Sequence, residues 1–228
     1  RLAPFIWANG GALVEATDAP RRLMLETTEA IEALERFLSL YAIHGVTPSQ
    51  AEMKSQDNES RFANGGLAMH LSSRRSTPTF RTIKDFDWDV APLPKMKQAA
   101  SVLHSDAYCM TAESEHKDAA WRFVEFALGQ EGAEIVAKTG RTVPSLISIA
   151  QSDVFLDPVE KPSHSQVFLD SIPVIRSFPL VPAWSEIEKQ ADTILEQAFF
   201  RKEGIYANAS ARKVANDIVT TTAVFFGE

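Results

Sequence analysis

Helical periodicity, broken by glycine and proline, constrains this chain more than any other feature. Ile31, Leu34, Phe37, Leu38 and Tyr41 recur on one helix face, with Thr27 or Thr28 able to cap the start and Gly45 ending it. Ala119, Ala120, Phe123, Val124 and Ala127 repeat the pattern behind a capping Ser114, and Gly129 closes it. A further helix is predicted over Gln130 to Lys138, ending at Gly140. Ile187, Ala191, Ile194, Leu195 and Ala198 predict one over Ser185–Phe200, and Val214, Ile218, Ala223 and Phe225 another over Ala209–Phe226. Shorter helices are predicted within Pro48–Ser60, at Ser145–Ala150 and at Ser163–Ile172.

Strand signals are few. Leu67–Ser72 follows an Asn64-Gly65-Gly66 turn, and Phe86–Ala91 alternates apolar and polar before Pro92 and Pro94 stop it. Ala107–Met110 reads as a third strand, with Cys109 as an inert core residue. A polar connector runs from Glu15 to Pro20 after Gly10-Gly11. The fold class is therefore mixed α/β and helix-rich, with fewer strands than a compact sheet protein of this length supplies.

Composition narrows the function. The 228 residues suit one large domain or two small ones, and 45% hydrophobic with 23% charged residues is a globular average. A net charge of −7 argues against nucleic acid as a partner, because phosphate binding needs a basic footprint. One cysteine excludes a disulfide framework and a cysteine zinc site. The five histidines, at 44, 70, 104, 116 and 164, fall into no metal-ligand spacing. No G-x-S-x-G elbow and no phosphate-cradling glycine loop occurs, so neither metal nor cofactor is expected. The apolar runs, such as Ala3–Ala8 and Ala223–Phe226, are far shorter than a bilayer span.

What remains is a set of aromatic and planar polar residues at the ends of elements. Trp7 precedes Asn9-Gly10-Gly11, Arg74-Arg75 follow a predicted strand, and Trp184 opens a helix behind a proline-rich crossing. An aromatic face packs on the C–H face of a sugar ring, while Asn, Asp and Arg bind neighbouring hydroxyls. Singly, each residue also fits core filling or solvated surface.

The order of motifs resembles a known family. Ile6-Trp7-Ala8-Asn9-Gly10-Gly11, the Thr27–Tyr41 helix and Phe62-Ala63-Asn64-Gly65-Gly66-Leu67-Ala68-Met69 carry the first part of the likeness. Trp88-Asp89-Val90-Ala91-Pro92-Leu93-Pro94, Ser114–Phe123 and Gly140 with Pro144 carry the rest. Together they resemble the extracellular solute-binding proteins of ABC importers, the sugar-binding family that includes maltose-binding protein. The resemblance implies a type II periplasmic-binding-protein-like fold, in which two α/β lobes close on a solute held between them.

It also implies that Arg1 falls near the middle of such a protein, with a signal peptide and a first-lobe half preceding it. On that mapping residues 1–98 and 156–228 belong to the C-terminal lobe, and 99–155 return to the N-terminal lobe. The implied ligand contacts are Trp7, Asn9, Gly10 and Gly11, then Ser73, Arg74 and Arg75, then Ser105 and Asp106 beside His104, and Trp184. The implied partners are a sugar or sugar derivative and the permease subunits of an ABC transporter. The protein would be a non-catalytic monomer, periplasmic or extracellular, held at the membrane through its transporter.

One departure stands out: Arg75 occupies the place of an aromatic residue in maltose-binding protein. Either the solute is a substituted or anionic sugar, or Arg75 pairs with a carboxylate or faces solvent. The rival class is a mixed α/β glycoside-processing enzyme, for which Asp87 and Asp89 are the paired carboxylates.

Overall fold

The structure, a computed structural model, describes residues 2–15, 20–200 and 209–226. The Glu15–Pro20 connector lies largely outside the described residues. In chain order the helices are α1 (Ala3–Ala8), α2 (Thr28–Ala42), α3 (Gln50–Ser55), α4 (Asn58–Ala63), α5 (Thr77–Phe80) and α6 (Lys117–Leu128). They continue with α7 (Gln130–Lys138), α8 (Ile147–Ala150), α9 (Asp153–Leu156), α10 (Gln166–Asp170), α11 (Trp184–Phe199) and α12 (Ala211–Thr222). Strands β1 (Ser101–Val102) and β2 (Ile175–Arg176) pair in parallel, Ser101 opposite Ile175.

The chain divides into two compact units. One comprises 1–55, 93–103 and 174–228; the other comprises 56–92 and 104–173. The segment boundaries expected at 98/99 and 155/156 concern lobes of the longer family fold and do not divide these units.

The first unit is built on the longest amphipathic helices. Thr27 caps α2 by accepting from the Ala30 amide at 3.3 Å, and Ser210 caps α12 by accepting from Lys213 at 3.2 Å. The buried stripe of α12 is Ala211, Val214, Ala215, Ile218 and Thr222, and that of α2 is Ala30, Ile31, Ala33, Leu34 and Leu38. These stripes form one core with Leu2, Ile6, Trp7 and Ile187. Thr222 stays satisfied inside it by donating to the Ile218 carbonyl at 2.8 Å. Phe5, Phe37 and Phe199 extend the core as edge-to-face and tilted ring pairs, 5.3 and 5.1 Å apart.

Helix α1 was not expected: six residues carrying Pro4 show too little periodicity to announce a helix. Proline in its first turn costs no hydrogen bond there. Its exposed carbonyls are met from a distance in sequence. Gln98 donates its amide to Ala8 at 2.9 Å and its side chain to Trp7 at 2.7 Å.

The second unit has a smaller aromatic core. Phe62, Phe80 and Trp88 follow one another at ring separations of 4.8 and 5.6 Å. Arg81 ties its segments together, donating Nε to the Lys161 carbonyl at 2.7 Å and Nη1 to the Lys138 carbonyl at 2.9 Å. Helices α6 and α7 meet so closely at Gly132 that a Cβ there would fall on the Phe126 carbonyl oxygen and 2.6 Å from Ala127 Cα. Gly132→Ala is therefore expected to destabilise the protein by about 2–3 kcal/mol, read as a shift in denaturant midpoint. A shift below about 0.5 kcal/mol would mean that the two helices separate at little cost.

Several expectations need correction. Leu67–Ser72, Phe86–Ala91 and Ala107–Met110 form no strands among the described residues. A strand needs a neighbour to receive its backbone groups, and none is described beside them. Cys109 is exposed rather than a core residue. Ser114 does not cap α6; the helix starts at Lys117, and the Ser114 hydroxyl accepts from His116 at 3.3 Å. Of the other long helices, α7 has its expected bounds and α2, α11 and α12 lie within four residues of theirs.

Candidate functional site

The expected contact residues fall into two groups, one on each unit. On the first unit, Trp7 and Trp184 both pack against Phe178, each with ring centroids 5.7 Å apart. Phe178 was missed from sequence because it stands alone in the proline-rich crossing and belongs to no periodic pattern. Trp7 is 4% exposed and Asn9 1%, so both are core residues. Trp7 supports the row from behind, and Trp184, partly exposed at the first turn of α11, is its accessible end. The Trp184 indole nitrogen has no acceptor among the described residues.

Asn9 has a structural task that its sequence context does not show. It donates to the Glu29 carbonyl at 2.8 Å and to the Glu32 carboxylate at 2.9 Å, which fastens the end of α1 to α2. Lys97 reaches the same Glu32 oxygen at 2.8 Å. Hydrogen bonds from Lys97 and Asn9 hold the Glu32 carboxyl below its ordinary value. Gly10 turns the chain with a φ of +88°, and Gly11 leaves no room for a side chain, since a Cβ would meet Ile6 Cγ2 at 2.8 Å.

On the second unit, Ser73 and Arg75 are exposed on either side of a buried Arg74. Ser105 and Asp106 are exposed in an extended segment of the same unit. The Arg74 guanidinium lies over the Phe155 ring at 4.2 Å and the Phe168 ring at 5.0 Å, and Nη1 donates to Ser165 at 3.1 Å. It forms no ion pair with a carboxylate among the described residues. Burial, followed by repulsion from Arg81, pulls its pKa down to about 10. Phe155, Phe168 and Ser165 come from 80 or more positions away, and no local signal joins them to Arg74.

Beside this cluster lies a cavity of about 580 Å³ whose walls include Arg81, Lys138, Phe155, Glu160 and Ser165. Its lining carries both signs of charge, with Asp153 and Asp157 adding to Glu160.

The paired carboxylates of the enzyme alternative are engaged otherwise. Asp87 pairs with Lys161 at 2.7 Å, and Asp89 holds the His164 ring at 2.7 Å and its amide at 3.1 Å. Burial works to raise the Asp89 pKa, but hydrogen bonds from His164 and Val90 outweigh it and hold the carboxyl below its ordinary value. A carboxylate with a depressed folded pKa stabilises the fold above its unfolded value, here 3.8, and loses that contribution as pH falls through the folded value. Between pH 5 and pH 2, Asp89→Asn is therefore expected to lose less stability than the wild type in urea unfolding. Identical losses would contradict the assignment. No cluster of His, Cys, Asp and Glu that could hold a metal gathers among the described residues.

Comparison with known proteins adds the decisive finding. Residues 2–163 match the family model described as bacterial extracellular solute-binding protein. The chain belongs to that family. No curated protein matches the sequence.

Among solved structures, an ABC substrate-binding protein from Listeria monocytogenes in complex with cycloalternan is 21% identical. It has a TM-score of 0.79 over 97% of this chain and 56% of its own. An ABC transporter solute-binding protein from Thermotoga lettingae bound with α-D-tagatose is 18% identical, with a TM-score of 0.79 over 99% of this chain and 56% of its own. The maltose-maltodextrin binding protein of Alicyclobacillus acidocaldarius is 18% identical, with a TM-score of 0.78 over 96% of this chain and 58% of its own.

The fold is thus that of the type II periplasmic-binding proteins, and this solute-binding family member spans little more than half the length of the structures it matches. No helix among its described residues is long and apolar enough to cross a membrane.

Proposed function

We propose that this family member binds a carbohydrate or carbohydrate-derived solute and delivers it to the permease of an ABC importer. The family match over residues 2–163 carries the proposal. The sugars named with the structurally similar proteins, cycloalternan and tagatose among them, support the class of solute. In this reading the solute lies between lobes that close on it, and closure reports occupancy to the permease, because ligand favours the closed state by differential affinity. The protein acts outside the cytoplasmic membrane as a monomer, without metal, cofactor or catalysis.

Trp184 is the stacking residue, carried on Phe178 and Trp7. Ser73, Arg75, Ser105 and Asp106, all exposed, are the side chains proposed to meet hydroxyls or a charged substituent. On the first unit Asn9, Gly10 and Gly11 shape the turn that follows Trp7, and on the second Arg74 anchors the turn that exposes Arg75. Arg75 favours a sugar bearing an acidic group. Calorimetric titration with a neutral sugar and with the corresponding sugar acid tests this point. Tighter binding of the acid that is lost in Arg75→Ala is expected, and equal preference in wild type and variant would overturn it. Incubation with chromogenic glycosides tests the enzyme alternative, and turnover would exclude a pure binder.

A further inference from the structure

Arg74 carries a charge that the second unit does not answer. It is 5% exposed, with its guanidinium set against the Phe155 and Phe168 rings. Nη1 reaches the Ser165 hydroxyl at 3.1 Å, while the buried Nε has no acceptor among the described residues. Ring faces offset part of the cost of taking a cation out of water, but a buried charge is ordinarily met by an opposite one. Here the charge felt most strongly is a like one, that of Arg81.

Space for a counter-charge adjoins it. Phe155 and Ser165, the residues that touch Arg74, also line the cavity of about 580 Å³ on the second unit. Arg81 stands in the same wall with its guanidinium already oriented, since Nε and Nη1 are held by the Lys161 and Lys138 carbonyls at 2.7 and 2.9 Å. Lys138 adds a third cation, exposed in the last turn of α7. The wall carboxylates are partly engaged: Glu160 lies 3.5 Å from Arg81 Nε, and Asp157 accepts from the Val159 amide at 2.8 Å. Asp153 stands exposed at the start of α9. Three cations favour one negative group in this space. Three carboxylates repel a second negative group and accept hydrogen bonds from hydroxyls instead.

We infer that the cavity binds a small hydroxylated monocarboxylate. Its carboxylate is held by Arg81 and Lys138 in front of Arg74, and its hydroxyls donate to Asp153 and Asp157. Arg74 attracts the anion from behind the Phe155 and Ser165 side chains, where a low local dielectric lets a buried charge act further than an exposed one. The site lies wholly on the second unit and uses neither Trp184 nor Arg75, so it is separate from the solute contacts proposed above.

Gluconate is the probe, because it has the carboxylate and the hydroxyls but no ring to stack on an indole. Its titration into the protein is followed by amide and arginine side-chain NMR. Saturable shifts are expected at the Arg74 and Arg81 Nε signals and at the 153–165 amides, with Trp184 unmoved. Sorbitol lacks the charge, acetate the hydroxyls, and inorganic phosphate carries a second charge; each is expected to bind at least about 10-fold more weakly. Lys138→Met, at an exposed position, should weaken gluconate by about 10-fold, and Arg74→Met by about 30-fold. Without ligand, Arg74→Met puts an apolar side chain against the same two rings and removes an unanswered cation. Its melting temperature is therefore expected to lie above that of the wild type or within about 2 °C of it. A larger fall, or failure to fold, would overturn the inference, because the fold would then already satisfy the cation. So would the absence of saturable gluconate shifts, shifts centred on Trp184, or equal binding of phosphate or acetate. Sugar binding at Trp184 is read from different signals, so either reading can fail without the other.

Discussion

Replacing Leu34 with alanine is expected to lower the free energy of unfolding by about 3–4 kcal/mol. Leu34 is 2% exposed on the inner face of α2, in the core that α1, α11 and α12 complete. Removing its branched end deletes buried methyl groups and leaves a cavity that the surrounding helices fill only in part. Collapse is hindered because Ile6, Leu38, Val214 and Ile218 of the same core are each at most 1% exposed and already packed. Leu180, 90% exposed on the proline-rich crossing, is the matched control, and Leu180→Ala should change stability by no more than about 0.5 kcal/mol. The denaturant midpoints of the two variants make the comparison. A loss below about 1 kcal/mol for Leu34→Ala would show that the first unit lacks the packed core described here.

Trp184→Ala is expected to weaken sugar binding by about 30-fold, equivalent to about 2 kcal/mol. The indole gives a large flat apolar surface at small entropic cost, and it is held in place before any solute arrives. Phe178 and Trp7 stack behind it, so its orientation is inherited from the core rather than induced by the solute. Trp184→Phe retains a ring of the same orientation and is expected to recover most of the affinity. Circular dichroism separates lost binding from lost folding. If the alanine variant binds as tightly as the wild type, Trp184 is a packing residue and the stacking role fails.

Much of the helical frame was legible in the sequence, because α2, α11 and α12 carry uninterrupted periodicity and α2 and α7 are closed by glycines at 45 and 140. The strands were not, because a strand is defined by its neighbour. Leu67–Ser72 and Ala107–Met110 have strand composition but no strand beside them among the described residues, and composition cannot supply a partner. The site was legible as residue types and not as roles. Trp7 and Trp184 sit 177 positions apart in sequence, and nothing local discloses that Phe178 joins them. Arg74 and Arg75 look alike as a pair. Yet the turn at Arg74–Ser76 buries the first between Phe155 and Phe168 and leaves the second to solvent.

The same distinction explains why motif order told more than any single motif. The Asn9-Gly10-Gly11 turn binds no ligand by virtue of its sequence. It lets α1 end against α2, where the Asn9 amide nitrogen donates to Glu29 and Glu32 while its buried Oδ1 has no donor among the described residues. The turn therefore serves the fold whether or not it serves the site.

Calorimetric titration of the native protein with oligosaccharides and monosaccharides tests most directly whether it binds carbohydrate without transforming it. Saturable heat for at least one sugar, with the sugar recovered unchanged afterwards, is the predicted result. No heat from any sugar, or recovery of a cleaved product, would contradict it.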